Sequence, residues 1–170
     1  MTTIIGVSGS LRRGSFNTAL LRAAVELMPA GAELKIESIE GIPTRVAEVK
    51  QTIAEGSGLL LATPEYNNSM PGVFKNAIDW LSRPASDIKA VFGGKPVAVM
   101  GASQGGFGTI LSQNAWLPVL RTLGTRPYFG GRLLVSRAQT VFDENGSLKD
   151  EAIRKQLEQF LNGFVQFVQV

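Results

Sequence analysis

Three short segments carry the groups that could bind or transform a ligand. The first is Ser8-Gly9-Ser10-Leu11-Arg12-Arg13-Gly14-Ser15-Phe16-Asn17, which gathers hydroxyls, an amide and two guanidiniums just ahead of a stretch with helical spacing. Free N–H groups at a helix start, the positive end of the helix dipole and fork-shaped Arg donors together make a phosphate site. Gly-Lys-Ser/Thr is missing, so this is not a Walker loop, and no G-x-G-x-x-G is present, so it is not the dinucleotide fingerprint either. A capped helix start, with Ser15 or Asn17 as the N-cap, accounts for one hydroxyl or the amide, but few caps need two arginines as well. The second segment is Thr63-Pro64-Glu65-Tyr66-Asn67-Asn68-Ser69-Met70-Pro71-Gly72. Two prolines stiffen it and Tyr66 sits at its tip, so it can frame a flat heterocycle and meet the polar edge with backbone groups. Taken alone, it reads equally well as a surface turn with one Tyr. The third is Gly101-Ala102-Ser103-Gln104-Gly105-Gly106-Phe107-Gly108-Thr109, four glycines in eight residues before Thr109. Its backbone can approach a ligand closely and expose N–H donors, or it can serve close packing of the following helix. A phosphate at the first segment and a flat polar ring between the other two describe FMN.

The elements needed to bring these segments together are legible in the hydrophobic pattern. Ile4–Val7, Leu59–Ala62 and Val97–Met100 are short apolar runs of the kind found in central parallel strands. Leu34–Glu37 alternates, as a wetter edge strand does, and Leu133–Val135 is a short fifth strand. Between them, Thr18–Met28, Thr44–Glu55, Gly72–Ser82, Phe107–Leu123 and Ser147–Val168 show helical spacing. Five strands alternating with five helices predict a single α/β domain over residues 1–170, a three-layer sandwich on a five-stranded parallel sheet. The order 2-1-3-4-5, the flavodoxin-like one, satisfies right-handed crossovers and puts the apolar strands in the centre. In such a sheet the three segments follow strands one, three and four, and lie at the same edge.

Composition narrows the chemistry. The chain has 170 residues, with no Cys and no His. Disulfide scaffolds, Cys/His zinc sites, Cys–His pairs and Ser-His-Asp triads are therefore excluded. No apolar run approaches the ~20 residues of a membrane span, and the start lacks a basic region followed by a long apolar one, so a cytoplasmic protein is expected. No nucleic-acid partner is expected. Net charge is +3, but Ile88–Phe142 has no acidic residue and six basic ones: Lys89, Lys95, Arg121, Arg126, Arg132 and Arg137. That asymmetry fits an anionic ligand, or a partner surface that tolerates arginine. The apolar residues of Phe107–Leu123 and Gly72–Ser82 spread around a wide arc of each helix, wider than one sheet face covers, which predicts at least a dimer.

The motifs Gly9-Ser10-Leu11-Arg12 through Asn17, Pro64-Glu65-Tyr66-Asn67 with Pro71-Gly72 and Lys75-Asn76-Ala77-Ile78-Asp79-Trp80, and Gly101-Ala102-Ser103 through Phe107-Gly108-Thr109 resemble the NADPH-dependent FMN reductase family. Their spelling is nearest its chromate/quinone reductase branch, and the resemblance runs over nearly the whole chain. It implies tightly held FMN, NADPH or NADH as co-substrate, a homodimer or tetramer, and reduction of quinones, flavins, metal oxyanions or azo dyes. By matching position, Ser10, Arg12, Ser15 and Asn17 would hold the phosphate, Pro64, Glu65, Tyr66 and Asn67 would face the isoalloxazine, and Ser103 to Gly106, with Gly105 between, would lie along its pyrimidine side. One departure stands out. Family members usually have a longer loop after strand two, often with a Tyr-Asn pair, whereas here Glu40-Gly41-Ile42-Pro43 runs almost directly into a helix expected near Thr44.

Hydride transfer to a flavin needs no protein acid, base or nucleophile, because the cofactor carries the chemistry. No catalytic side chain and no metal site is assigned. Two other functions share the fold: a non-enzymatic FMN electron carrier, which is typically acidic where this chain is basic, and an interaction domain without FMN.

Overall fold

The computed structural model describes the backbone of residues 1–170 and the side chains of all but residues 42 and 43, so part of the short connection after the second strand lies outside the described side chains. In chain order the elements are β1 (Thr2–Ser8), α1 (Phe16–Glu26), β2 (Ala32–Glu37), α2 (Ile42–Glu55), β3 (Gly58–Ala62), α3 (Gly72–Leu81), α4 (Ile88–Val91), β4 (Pro96–Ala102), α5 (Ile110–Thr122), β5 (Arg126–Pro127), β6 (Leu133–Val135), α6 (Ala138–Val141) and α7 (Glu151–Gln169). Every strand pairing is parallel, and the order is β2-β1-β3-β4-β5, with β6 also on β4. The expected 2-1-3-4-5 sheet is present.

Strand alternation decides the layers. Ile4, Leu60, Ala62, Ala98 and Met100 point to one face, where α1 and α7 close a core with Leu20, Leu21, Leu157, Phe160 and Phe164. Ile5, Val7, Leu59, Leu61 and Val97 point to the other, where α2, α3 and α5 supply Ile53, Phe74, Ile78, Trp116 and Leu120. Because both faces are covered, the central strands read as unbroken apolar runs.

The fifth sheet position differs from the single strand expected at Leu133–Val135. It is shared by two short strands, since Pro96 pairs with Arg126 while Met100 pairs with Leu133. Residues 98 and 99 thus stand opposite the five residues from Tyr128 to Arg132. That excursion lays the Tyr128 ring among Phe160, Phe164 and Phe167 of α7, with centroids 5.5–5.8 Å apart. The missing side chain at Gly163 leaves room for the Tyr128 hydroxyl. Burial among these rings pushes the phenol's pKa above its ordinary value. Helix starts also shift. Gly108, at φ +64°, breaks the helix expected from Phe107, and α5 opens at Ile110. The last helix opens at Glu151, where the Asp150 carboxylate accepts from the Ile153 N–H.

Long-range polar ties hold the carboxyl edge of the sheet. The Asn17 side chain, 3% exposed, donates to the Ala102 carbonyl and accepts from the Ala102 N–H, both at 3.0 Å. It thereby pins the start of α1 to the end of β4. Below the next loop, Trp116 Nε1 donates to Thr63 Oγ1 at 3.2 Å and Thr63 Oγ1 meets Ser112 Oγ at 2.8 Å. A side chain at Gly101 would collide with the Thr63 carbonyl and the Thr109 hydroxyl, so glycine lets β3 and α5 close up there.

Asn17→Ala leaves both backbone groups of a buried Ala102 unpaired. We expect it to destabilise the ligand-free protein by about 2–4 kcal/mol, read as a lower urea midpoint with an unchanged slope. A loss within experimental error would show that the tie is dispensable.

Candidate functional site

The loops after β1, β3 and β4 enclose a cavity of about 350 Å³. Of the residues expected there, Ser10, Arg12, Ser15, Asn17, Pro64, Glu65, Tyr66, Ser103, Gly105 and Gly106 line it; Asn67 does not. Phe16, Ala102, Gln104, Phe107 and Gly108 line it as well.

The first loop offers backbone donors. The N–H groups of Leu11, Arg13, Gly14, Ser15 and Phe16 meet no protein acceptor among the described residues. The Ser15 hydroxyl caps α1 by accepting from the Asn17 and Thr18 N–H groups at 3.2 and 3.4 Å. Ser10 Oγ accepts from the Arg12 N–H at 3.3 Å and keeps its own proton to donate. Arg12 is exposed, lines the cavity and makes no side-chain hydrogen bond or ion pair among the described residues, so its guanidinium is at the disposal of an anion. Asn17 is different: its amide is spent on Ala102, so within this site it acts by fixing the two loops' relative position.

Two consecutive left-handed asparagines shape the second loop. Asn67 and Asn68 have φ of 50° and 62°, and Tyr66 and Ser69 exchange both backbone hydrogen bonds at 3.0 Å. This is a two-residue type I′ hairpin, a turn that demands positive φ at both central positions, which Asn tolerates. It turns Asn67 outward and holds Tyr66, about half exposed, at the rim. Behind the rim, Glu65 Oε2 accepts from the N–H groups of Leu111 and Ser112 at 2.8 and 3.0 Å.

The third loop is a second cradle. Its N–H groups from Gln104 through Gly108 have no protein acceptor among the described residues. It is clamped from the side by Ser103 N–H to the Val135 carbonyl, Arg137 N–H to the Gly105 carbonyl and Ala138 N–H to the Ser103 carbonyl, at 2.9–3.0 Å. The Ser103 hydroxyl closes the loop onto the Gly108 carbonyl. Phe107, read from sequence as a helix residue, projects from this loop with 85% of its surface exposed. Its three flanking glycines were the available signal that it belongs to a loop.

The basic residues of the acid-free stretch do not converge on this cavity. Lys95 donates to the Ala54 and Gly56 carbonyls at the end of α2, Arg126 lies over Phe167, and Arg132 reaches Asn114. Only Arg137 touches the site, through its backbone. Arg12 is the one cation and Glu65 the one carboxylate among the lining residues.

A bed of free amides with one arginine fits a phosphate, and a second bed facing a rigid turn fits the polar edge of a flat ring. The residues present therefore fit FMN. Comparison with known proteins agrees. The family described as NADPH-dependent FMN reductase matches residues 2–140. An NAD(P)H-dependent FMN reductase of Pseudomonas aeruginosa is 40% identical, over 97% of this chain and 94% of its own. A 2-hydroxy-1,4-benzoquinone reductase of a Burkholderia species is 38% identical, over 95% of this chain and 93% of its own. Among solved structures, FerB, a flavoenzyme NAD(P)H:(acceptor) oxidoreductase from Paracoccus denitrificans, superposes with a TM-score of 0.87 at 30% identity, covering 99% of this chain and 98% of that one.

Arg12 and Asn17 should separate in experiment. Removing one charge-assisted contact costs about 1.5–3 kcal/mol, so Arg12→Ala should weaken FMN binding roughly 10- to 100-fold while leaving the urea midpoint unmoved. Flavin fluorescence quenching measures the first quantity, and an unchanged affinity would remove Arg12 from the phosphate site.

Proposed function

The chain belongs to the NADPH-dependent FMN reductase family, and we propose that its cavity holds FMN and passes reducing equivalents from NADPH or NADH to quinones, flavins, chromate-like oxyanions or azo compounds. The observation that carries this reading is the pair of free-amide cradles at one sheet edge, one beside Arg12 and the other facing the Pro64–Tyr66 turn. Ser10, Arg12 and the free amides of Leu11 and of Arg13 to Phe16 would hold the phosphate. Pro64, Glu65, Tyr66 and the turn built on Asn67 frame the ring from one side. The amides of Gln104, Gly105 and Gly106 face its pyrimidine edge, where preorganised donors stabilise developing negative charge.

FMN, when bound, supplies hydride acceptance and two-electron storage, and that division of labour suits a chain with no His and no Cys. The protein's own part is to bind, flatten and orient the ring and to leave one face open. The co-substrate and the acceptor then share that face in turn, which makes the kinetics ping-pong. We expect anaerobic NADPH to bleach the bound flavin and a quinone to restore its colour, with parallel double-reciprocal lines in the steady state. Failure of NADPH to bleach it would favour an electron carrier, and intersecting lines would require two sites.

The protein works as a homodimer or tetramer in the cytoplasm. Val73 and Trp80, seven residues apart and so on one face of α3, are 40% and 45% exposed. Leu111 and Leu117 of α5 are 43% and 40% exposed. Large apolar groups left in water on two neighbouring helices are what a second subunit covers. Among the described residues, no helix is long and apolar enough to cross a membrane. Sedimentation at micromolar concentration should give at least a dimer, and Trp80→Glu with Leu117→Glu should shift it to monomer. A wild-type monomer would contradict the assembly.

A further inference from the structure

Helix α5 begins without a cap of its own. Thr109 occupies the N-cap position, but its hydroxyl is buried and accepts from Gln113 Nε2 at 3.1 Å, and no acidic residue stands in the first turn. The cap comes instead from 46 residues earlier in the chain, where one oxygen of Glu65 accepts from both the Leu111 and the Ser112 N–H groups. The other oxygen has no protein partner among the described residues, and Glu65 lines the cavity.

We propose that Glu65 is a positioning residue that fixes the width of the flavin slot by tying its two walls together, and that its charge sets the reduction potential of the FMN held there. The proposal rests on the reading of the cavity as an FMN site. Glu65 belongs to the loop after β3 and the amides it holds follow directly on the loop after β4, so the two bonds bridge two walls of the cavity. The Thr63–Ser112 and Trp116–Thr63 bonds tie the same two elements one layer deeper. Glu65 is the tie beside the cavity itself.

The charge has a separate consequence. The carboxylate occupies the positive end of the α5 dipole, so that end is not free to stabilise a negative ligand. Reduced flavin carries more negative charge than oxidised flavin, and a carboxylate in the same cavity disfavours it. The Gln104–Gly106 amides are then left as the donors that oppose this effect.

Glu65→Gln separates the two roles, since an amide oxygen can accept the same two bonds without the charge. We expect Glu65→Gln to bind oxidised FMN within about threefold of wild type and to raise the bound flavin's potential, its preference for reduced over oxidised FMN growing on the order of tenfold. Glu65→Ala should bind FMN at least about tenfold more weakly. Hydrogen exchange on the ligand-free protein should show protection at Leu111 and Ser112 lost in Glu65→Ala and kept in Glu65→Gln. An unchanged potential in Glu65→Gln overturns the electrostatic role. Unchanged exchange or unchanged FMN affinity in Glu65→Ala overturns the positioning role. If wild type binds no FMN, the FMN reading and the potential fall together, while the exchange experiment still decides the tie.

Discussion

Backbone amides at the carboxyl edge of this sheet must find acceptors, and the fold does not supply them. The chain leaves β1 toward β2 on one side and reaches β3 and β4 on the other, so the loops after β1, β3 and β4 part over the centre of the sheet. An amide buried without a partner costs about 1–3 kcal/mol. The unpaired amides of the first and third loops are therefore stable only facing water or an oxygen-rich ligand. That constraint makes the binding site a property of the topology, with side chains refining it. It also suits a lining with one cation and one carboxylate, because most of the donors on offer are N–H groups, whose positions are set by strands and helix starts.

Amides recognise a ligand only if they stay in place, and the molecule invests buried polar contacts to hold them. Asn17 locks the first loop to the end of β4, and Thr63, Ser112 and Trp116 lock β3 to α5. These contacts sit between two apolar cores that by themselves specify layer packing but not loop separation to a fraction of an ångström. Apolar packing tolerates small slides, whereas a two-way amide pair such as Asn17 with Ala102 has one register. Arg137, a non-glycine at φ 47°, is held in strain by the same logic, since its N–H and that of Ala138 clamp the third loop.

Much of this was legible in the sequence. Apolar runs at Ile4–Val7, Leu59–Ala62 and Val97–Met100 identify buried parallel strands because both sheet faces are covered, and the three loops follow from the strand order. The fifth position was not legible as it stands. Arg126-Pro127 is too short to show a period, and the detour from Tyr128 to Arg132 is set by an aromatic cluster on a helix some thirty residues later in the chain. The same limit applies inside the site. Asn17 and Glu65 carry the residue types of ligand-binding groups, but their side chains meet backbone 85 and 46 residues away. No spacing rule reports such contacts. The acid-free stretch, which left a ligand surface and a bland one both open, does not gather at the cavity: neighbours in sequence are scattered in space by α5 and the split edge strand.

The connection after β2 is short and closes on its own strand and helix. Ser38 Oγ accepts from the Glu40 N–H, and Gly41, at φ 66°, starts α2 at once. Arg45 then pairs with Glu37 at 3.5 Å and with Glu48 at 3.0 Å, closing the end of the edge strand onto the first turn of the helix. These pairs are partly exposed and contribute little to stability, but they fold the connection back onto β2 and α2. Among the described residues, none between Ser38 and Arg45 lines the cavity. Loops lengthen and shorten at small thermodynamic cost, so a connection off the cavity wall can be trimmed while the amide cradles stay where the central strands put them. A cavity lined mainly from the loops after β1, β3 and β4 offers a ligand backbone donors whose spacing is set by the central strands.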